Sequence, residues 1–379
     1  MLGACQEEPA RPALAQGERP NVVLLLVDDL RWDETSYGGN LVATPNIDWL
    51  AGKGVRFQNA YVTSSLCSPS RASFLTGVYP HTHGVYSNST GLDFERTPTI
   101  AQLLQEAGYN TGLVGKWHMG GNSEPRPGFD HWLALPGQGE YEDPVFNING
   151  KEEIIAGYNT DLLTDAAIDF IDRGAERPFY LHLGYKAVHA PFLPAPRHRD
   201  ALVDEDFSSI VRPTTQRDRL AARRLRAQSL LSIDDSVGRI VQHLRERDLL
   251  ANTVLVFTSD NGFLFGEHGH SDKRLFYEES IRIPWLVYRP GLPAAGQVIE
   301  EPVLNIDFLP SMLALAGIDV PHHVQGRSFA PLLQGKPVAD WRDYWVYEYF
   351  AELAFPHIAT HLAVVGPDYK YVWFPEGAD

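Results

Sequence analysis

The chain has 379 residues, 44% of them hydrophobic, and a formal net charge of −16, the profile of a globular protein with room for a sizeable core. That charge argues against a protein that meets nucleic acid through a basic surface, and any anionic ligand must be held by local cations or a metal ion because the field of the whole molecule repels it. The longest clean apolar run, Val22 to Val27, is far shorter than the roughly 20 residues of a membrane-spanning helix, and two cysteines, Cys5 and Cys67, cannot build a disulfide scaffold.

In chain order, residues 1–20 read as a disordered Pro/Ala/Glu tail. Its Leu-Gly-Ala-Cys, ending at Cys5, is compatible either with a truncated lipoprotein signal or with a chance tetrapeptide. The first reading places the protein in the periplasm or outside the cell, with a lipid anchor at Cys5. The run NVVLLLV then predicts a buried strand that ends at Asp28-Asp29. In SSLCSPSRASFLTG, Ser68 suits an N-cap, Pro69 the first helical position and Gly77 the C-terminus. Cys67 is therefore expected just before a short helix, in an anion-attracting position with Arg71 nearby.

The pattern TPTIAQLLQEAG (Thr97 to Gly108) predicts a helix, TGLVG a strand ending at Lys116-Trp117-His118, and TDLLTDAAIDFIDR (Thr160 to Arg173) a second helix. PFYLHLGY predicts a strand followed by Lys186 and His189. The Arg-rich segment Arg212 to Asp248 predicts an exposed amphipathic helix, with a polyanion-contacting face as the lesser alternative. TVLVFTS ends at Asp260-Asn261, and residues 262–287 read as a loop over the crevice that aims Lys273 at a ligand. Alternating strands and helices predict an α/β fold with a large, mostly parallel sheet sandwiched by helices. Ligands of such sheets bind beyond the carboxyl ends of the strands, so the four strand-end clusters are expected to share one crevice.

Each cluster has a plain structural reading. Asp-Asp can be a solvated turn, Asp-Asn-Gly is a common turn tripeptide, and a lone histidine is more often a satisfied core residue. Together, Asp28, Asp29, Asp260 and Asn261 offer three carboxylates and an amide carbonyl, with no HExxH pair. That all-oxygen set suits Ca2+, or Mg2+, better than zinc.

These blocks resemble a known family. C-S-P-S-R with A-S-F-L-T-G, D-D after the first strand, G-K-W-H-M-G, V-H-A-P, and D-N-G-F followed by G-E-H-G, D-K-R and Y-E-E-S-I-R-I-P are similar to the type I, formylglycine-dependent sulfatases of the alkaline phosphatase superfamily. The resemblance runs in the family's order from about Pro20 to Val338 and implies a catalytic domain over residues 21–338. It implies that a separate formylglycine-generating enzyme oxidises Cys67, and that Asp28, Asp29, Asp260, Asn261 and the modified Cys67 bind Ca2+. One hydroxyl of the hydrated aldehyde would attack sulfur and expel the alcohol. Loss of a proton from the second would then eliminate sulfate and restore the aldehyde.

The resemblance implies Asp260 as the first base, His118 as the partner of the second step, and Arg71 and Lys116 as holders of the diol. His189 and Lys273 would grip the sulfate and protonate the leaving oxygen. Y-P-H-T-H-G-V, A-V-H-A-P-F-L-P-A-P and D-K-R-L-F-Y-E-E-S look most like N-acetylglucosamine-6-sulfatases and bacterial polysaccharide sulfatases, so the implied partner is a sulfated carbohydrate. Met119 stands where leucine is usual, a conservative change. Residues 339–379 read as the opening strands of a small antiparallel C-terminal subdomain, expected to be incomplete and to leave an exposed sheet edge. The alternatives are a phosphomonoester or phosphonate ester hydrolase of the same superfamily, and a carbohydrate-binding pseudoenzyme. A two-zinc phosphatase lacks the histidine-rich ligand set it would need.

Overall fold

The computed structural model describes residues 19–39, 42–205 and 216–375, so the Cys5 reading and nearly all of the expected tail lie outside the described residues. The first strand, Asn21–Val27, is buried along its whole length, as a strand covered on both faces must be. Its side chains alternate between two cores. Val22, Leu24 and Leu26 pack with Phe74, Leu104, Trp285 and Leu309, whereas Val23, Leu25 and Val27 pack with Ile47, Phe170, Ile233 and Val237. Each fully buried Val or Leu contributes about 1.5–3 kcal/mol of hydrophobic stabilisation.

The central sheet has ten strands in the spatial order Val298–Ile299, Val55–Phe57, Trp285–Tyr288, Thr253–Ser259, Asn21–Val27, Phe179–Gly184, Asn110–Lys116, His131–Leu135, Val145–Ile148 and Lys151–Ile154. The run from Thr253–Ser259 through His131–Leu135 is parallel throughout, and antiparallel strands flank it on both sides. Helices Cys67–Thr76, Ile100–Glu106 and Phe308–Leu315 cover one face, and Pro45–Lys53, Asn159–Gly174 and Gln216–Glu246 the other. Ile100–Glu106 starts where Thr99 and Gln102 form a reciprocal capping box. A separate antiparallel sheet, Trp345–Tyr349, His361–Val365 and Lys370–Trp373, matches the strands expected near the end of the chain, with Lys370–Trp373 at its edge.

Three expectations need correction. The helix expected to begin at Pro69 begins at Cys67, with Leu66 in the cap position and no side-chain cap; the Ser68 hydroxyl instead donates to the carbonyl oxygen of His118. Its other end is as expected, since Gly77 closes it at φ 68°, in the left-handed region glycine favours. Residues 262–287 are not all loop. They contain the hairpin Leu264–Phe265 with Ser271–Asp272, the short helix Glu278–Ile281, and the start of a strand in the main sheet. Finally, the Arg-rich helix is not simply an exposed face, because Arg223 and Arg226 are buried.

Candidate functional site

Strand pairing sets the strand ends level. Val27 lies opposite Ser259, Leu26 opposite Gly184, and Gly184 opposite Gly115. The residues that follow therefore emerge along one edge of the sheet, as the chain pattern predicted. Gly115 sits at φ 107°, and a Cβ there would lie 2.0 Å from the carbonyl oxygen of Gly184. Only glycine lets these two strands approach so closely just before Lys116 and Lys186.

Asp28, Asp29 and Asp260 are buried, each with a carboxylate oxygen within 4.8 Å of the others. Asp29 takes φ 65°, an unusual conformation for a residue other than glycine, and its N–H donates to Asp260 Oδ1 at 3.0 Å. Asn261 Nδ2 donates to Asp29 Oδ1 at 2.7 Å and to the carbonyl oxygen of Gly262 at 2.8 Å. Asn261 Oδ1 is buried without a hydrogen-bond partner. Buried polar atoms are normally paired, so a bare amide oxygen beside three carboxylates is the donor set of a hard cation, and these residues fit Ca2+ or Mg2+.

Three buried cations face the carboxylates. Lys116 Nζ donates to Asp28 Oδ2 and, at 2.6 Å, to Gln138 Oε1. Lys273 Nζ donates to Asp29 Oδ1 and lies 2.9 Å from Cys67 Sγ, which is 3.8 Å from Lys116 Nζ. Arg71 Nε donates to Asp260 Oδ2 at 2.9 Å and Nη1 to the carbonyl oxygen of Lys116 at 2.8 Å. Lys273 is thus no solvated loop charge. Cys67 Sγ also lies 3.6 Å from Asp28 Oδ1.

Burial opposes ionisation of Asp28 and Asp29, but nearby cations outweigh it. Lys116, His189, Arg71 and Lys273 hold Asp28 well below the usual carboxylate range, and chiefly Lys273 and His189 lower Asp29. Burial and the charge of Asp28 push Asp260 up to about 6 in spite of Arg71. The Cys67 thiol is pushed up to about 12 by burial, which outweighs Lys116 and Lys273. The helix terminus therefore does not leave an ionised thiol here, and the side chain is an inert thiol unless it is chemically changed.

His118, at φ 55°, is held well below its ordinary value by burial and then by Lys116, and its Nδ1 is buried without a partner. His189 Nδ1 donates to the carbonyl oxygen of Ala190 at 2.8 Å, and Nε2 lies 3.8 Å from Asp29 Oδ2. Burial lowers this imidazole too, against the pull of Asp28 and Asp29. All ten residues expected at the site lie in this one region of the fold.

Residues that the sequence reading missed also appear. Gln138 follows the strand His131–Leu135 and obeys the same strand-end rule, so that signal was available. Tyr347, from the C-terminal sheet, makes a 2.7 Å hydrogen bond with Ser65 Oγ and donates to the carbonyl oxygen of Arg274 at 2.6 Å. It ties together the segments that carry Cys67 and Lys273, and no local pattern marks it.

The family model described as Sulfatase matches residues 20–318, and one described as N-sulphoglucosamine sulphohydrolase, C-terminal, matches residues 266–379. An N-acetylglucosamine-6-O-sulfatase of Bacteroides thetaiotaomicron is 33% identical over 98% of this chain and 81% of its own length. A solved structure, described as in complex with its substrate D-glucosamine-2-N,6-O-disulfate, superposes with a TM-score of 0.86 at 32% identity, covering 96% of this chain and 90% of the other. A phosphonate monoester hydrolase of Agrobacterium radiobacter shares the fold, with a TM-score of 0.78 at 23% identity over 94% of this chain and 87% of its own.

Proposed function

The chain belongs to the sulfatase family, and from that premise we propose that it removes sulfate from a sulfated glucosamine through a formylglycine at position 67 and a divalent metal, with Ca2+ as the expected ion. The observation that carries the proposal is the placement of Cys67 Sγ, 2.9 Å from Lys273 Nζ and 3.8 Å from Lys116 Nζ, beside three buried carboxylates and the bare Asn261 Oδ1. The relatives described as acting on, or bound to, 6-sulfated glucosamine support the choice of sugar.

Asp28, Asp29, Asp260 and Asn261 would hold the metal together with residue 67. The metal would supply Lewis-acid polarisation of the sulfate oxygens, and hydrated formylglycine would supply the attacking hydroxyl together with a second hydroxyl whose deprotonation restores the aldehyde and expels sulfate on the first oxygen. The chain's own side chains do the rest. Lys116 and Lys273 stabilise negative charge on the side chain of residue 67, and Asp260, oriented by Arg71, takes the first proton. His118 is neutral, and its unpartnered Nδ1 is the acceptor available for the second.

His189 keeps its neutral-state proton on Nδ1, because that atom donates to the Ala190 carbonyl. Protonating a leaving oxygen through Nε2 therefore requires the imidazolium, which a bound sulfate ester favours. Lys116, Lys273 and Arg71 balance the three carboxylates, so the metal's charge is left to attract an anionic ester, and the matching 6-phosphate in the test separates sulfate from phosphate.

The test is free sulfate released from 6-sulfated N-acetylglucosamine and from glucosamine-2-N,6-O-disulfate, with the matching 6-phosphate alongside. The protein is co-produced with a formylglycine-generating enzyme, and Cys67→Ala is the control. Sulfate release by the parent alone supports the reading. Faster phosphate release, or equal release by the variant, refutes it.

A further inference from the structure

Arg226 lies on the long helix Gln216–Glu246 and is 1% exposed. Its Nη2 donates to the carbonyl oxygen of Asp29, and Nη1 donates to that of Val188 at 3.2 Å. Nε and Nη2 also donate to the two carboxylate oxygens of Glu34, each at 2.6 Å. The rings of Phe192, Phe263 and Phe265 lie around the guanidinium, with centroids 5.9, 5.4 and 5.3 Å from its central carbon.

These partners come from three separate strand-end loops. Asp29 and Glu34 follow the first strand, Val188 and Phe192 flank His189, and Phe263 and Phe265 follow Asn261. One planar cation therefore fastens together the segments that carry two metal-ligand candidates and a sulfate-contacting histidine. Asp29 needs such an anchor, because its left-handed conformation persists only where the surroundings enforce it. An ammonium cannot replace the guanidinium, since its single head lacks the planar fork that spans two carbonyls and a carboxylate. A stabilising ion pair would need only Glu34, whereas the two backbone contacts fall on Asp29 itself and on the residue before His189.

We propose that Arg226 is a positioning residue of the desulfation site, locking the Asp29, His189 and Asn261 loops in one relative arrangement without touching the reacting atoms. The assignment rests on the sulfatase reading of those residues. Arg226→Gln and Arg226→Lys are to be made in the full, matured chain. Peptide-resolved hydrogen exchange is expected to quicken in residues 28–34, 186–192 and 261–265 while the central strands keep the parent's protection. Parent-like exchange in all three loops, or uniform acceleration across the core, overturns the proposal.

Calorimetry with Ca2+ on the chelator-treated proteins is expected to show affinity reduced about 10- to 100-fold, as for other groups that orient metal ligands. Sulfate release is expected to lose about 100-fold in kcat with KM within about threefold, the pattern of misplaced catalytic groups. A folded R226Q protein with the parent's Ca2+ affinity and kcat overturns the proposal. Should R226Q not fold, R226K decides on the same three readouts. Should the parent itself neither bind Ca2+ nor release sulfate, the functional reading of the site fails and the exchange pattern alone decides the role of Arg226.

Discussion

Lys116→Met tests the electrostatic core of the site. Lys116 is fully buried, as is Asp28, and its ammonium donates to Asp28 Oδ2 and, at 2.6 Å, to Gln138 Oε1. Methionine fills similar space but removes the cation that donates directly to the Asp28 carboxylate, leaving Arg71 Nη2 at 3.9 Å, a weak thiol contact, and the more distant fields of His189 and Lys273. Removing one member of a buried ion pair costs about 3–5 kcal/mol. With an unfolding entropy of roughly 2 cal/mol/K per residue, a chain of 379 residues loses about 4–6 °C in melting temperature. Calorimetric melting measures this, with Gln138→Leu, which keeps the ion pair, as a control expected to lose only about 1 kcal/mol. Lys116 is also placed against developing charge on residue 67, so sulfate release should fall by about 100-fold or more. A K116M protein that melts within about 1 °C of the parent and keeps more than about a tenth of its rate refutes this account.

The remaining expectations are independent of that pair. Cys67→Ala should abolish sulfate release while leaving the melting temperature near the parent's; substantial residual turnover would remove position 67 from the mechanism. Asn261→Ala should weaken Ca2+ binding, read by calorimetry, because it deletes the bare Oδ1, and undiminished affinity would exclude that oxygen as a ligand. Gly115→Ala should sharply reduce soluble folded protein, since its Cβ would stand 2.0 Å from the Gly184 carbonyl oxygen, and near-normal yield and melting would contradict the packing described.

Stability should also fall in acid through His83 and His182, whose imidazoles burial lowers to about 3. Each is neutral in both states above about pH 6.5. Below that the unfolded chain takes up the proton first, so each costs about 1.4 kcal/mol per pH unit down to about pH 3. His83→Asn keeps an acceptor for the Val85 N–H and should flatten the decline between pH 6 and pH 4 by about that slope. Parallel stability curves for parent and variant would show that His83 does not titrate this way.

Much of the catalytic edge was readable because its signals are local. An apolar run that ends in a chemical residue marks a buried strand and what lies beyond it, and a parallel arrangement then gathers such residues without any knowledge of the partners. Asp28, Asp29, Lys116, His118, His189, Asp260 and Asn261 all follow from that rule, and the hard-cation donor set proposed for Asp28, Asp29, Asp260 and Asn261 follows from residue type. What only the tertiary structure decided is the pairing across long separations. Arg71 with Asp260 spans 189 residues, Lys273 with Asp29 spans 244, and Arg226 with Glu34 spans 192. Periodicity carries no information about which side chain faces which across such distances; close packing of helices and loops onto the sheet sets it. The same holds for ionisation. A cysteine before a helix reads as an anion site, yet burial in the assembled core raises its thiol, because desolvation depends on neighbours that the local sequence does not name.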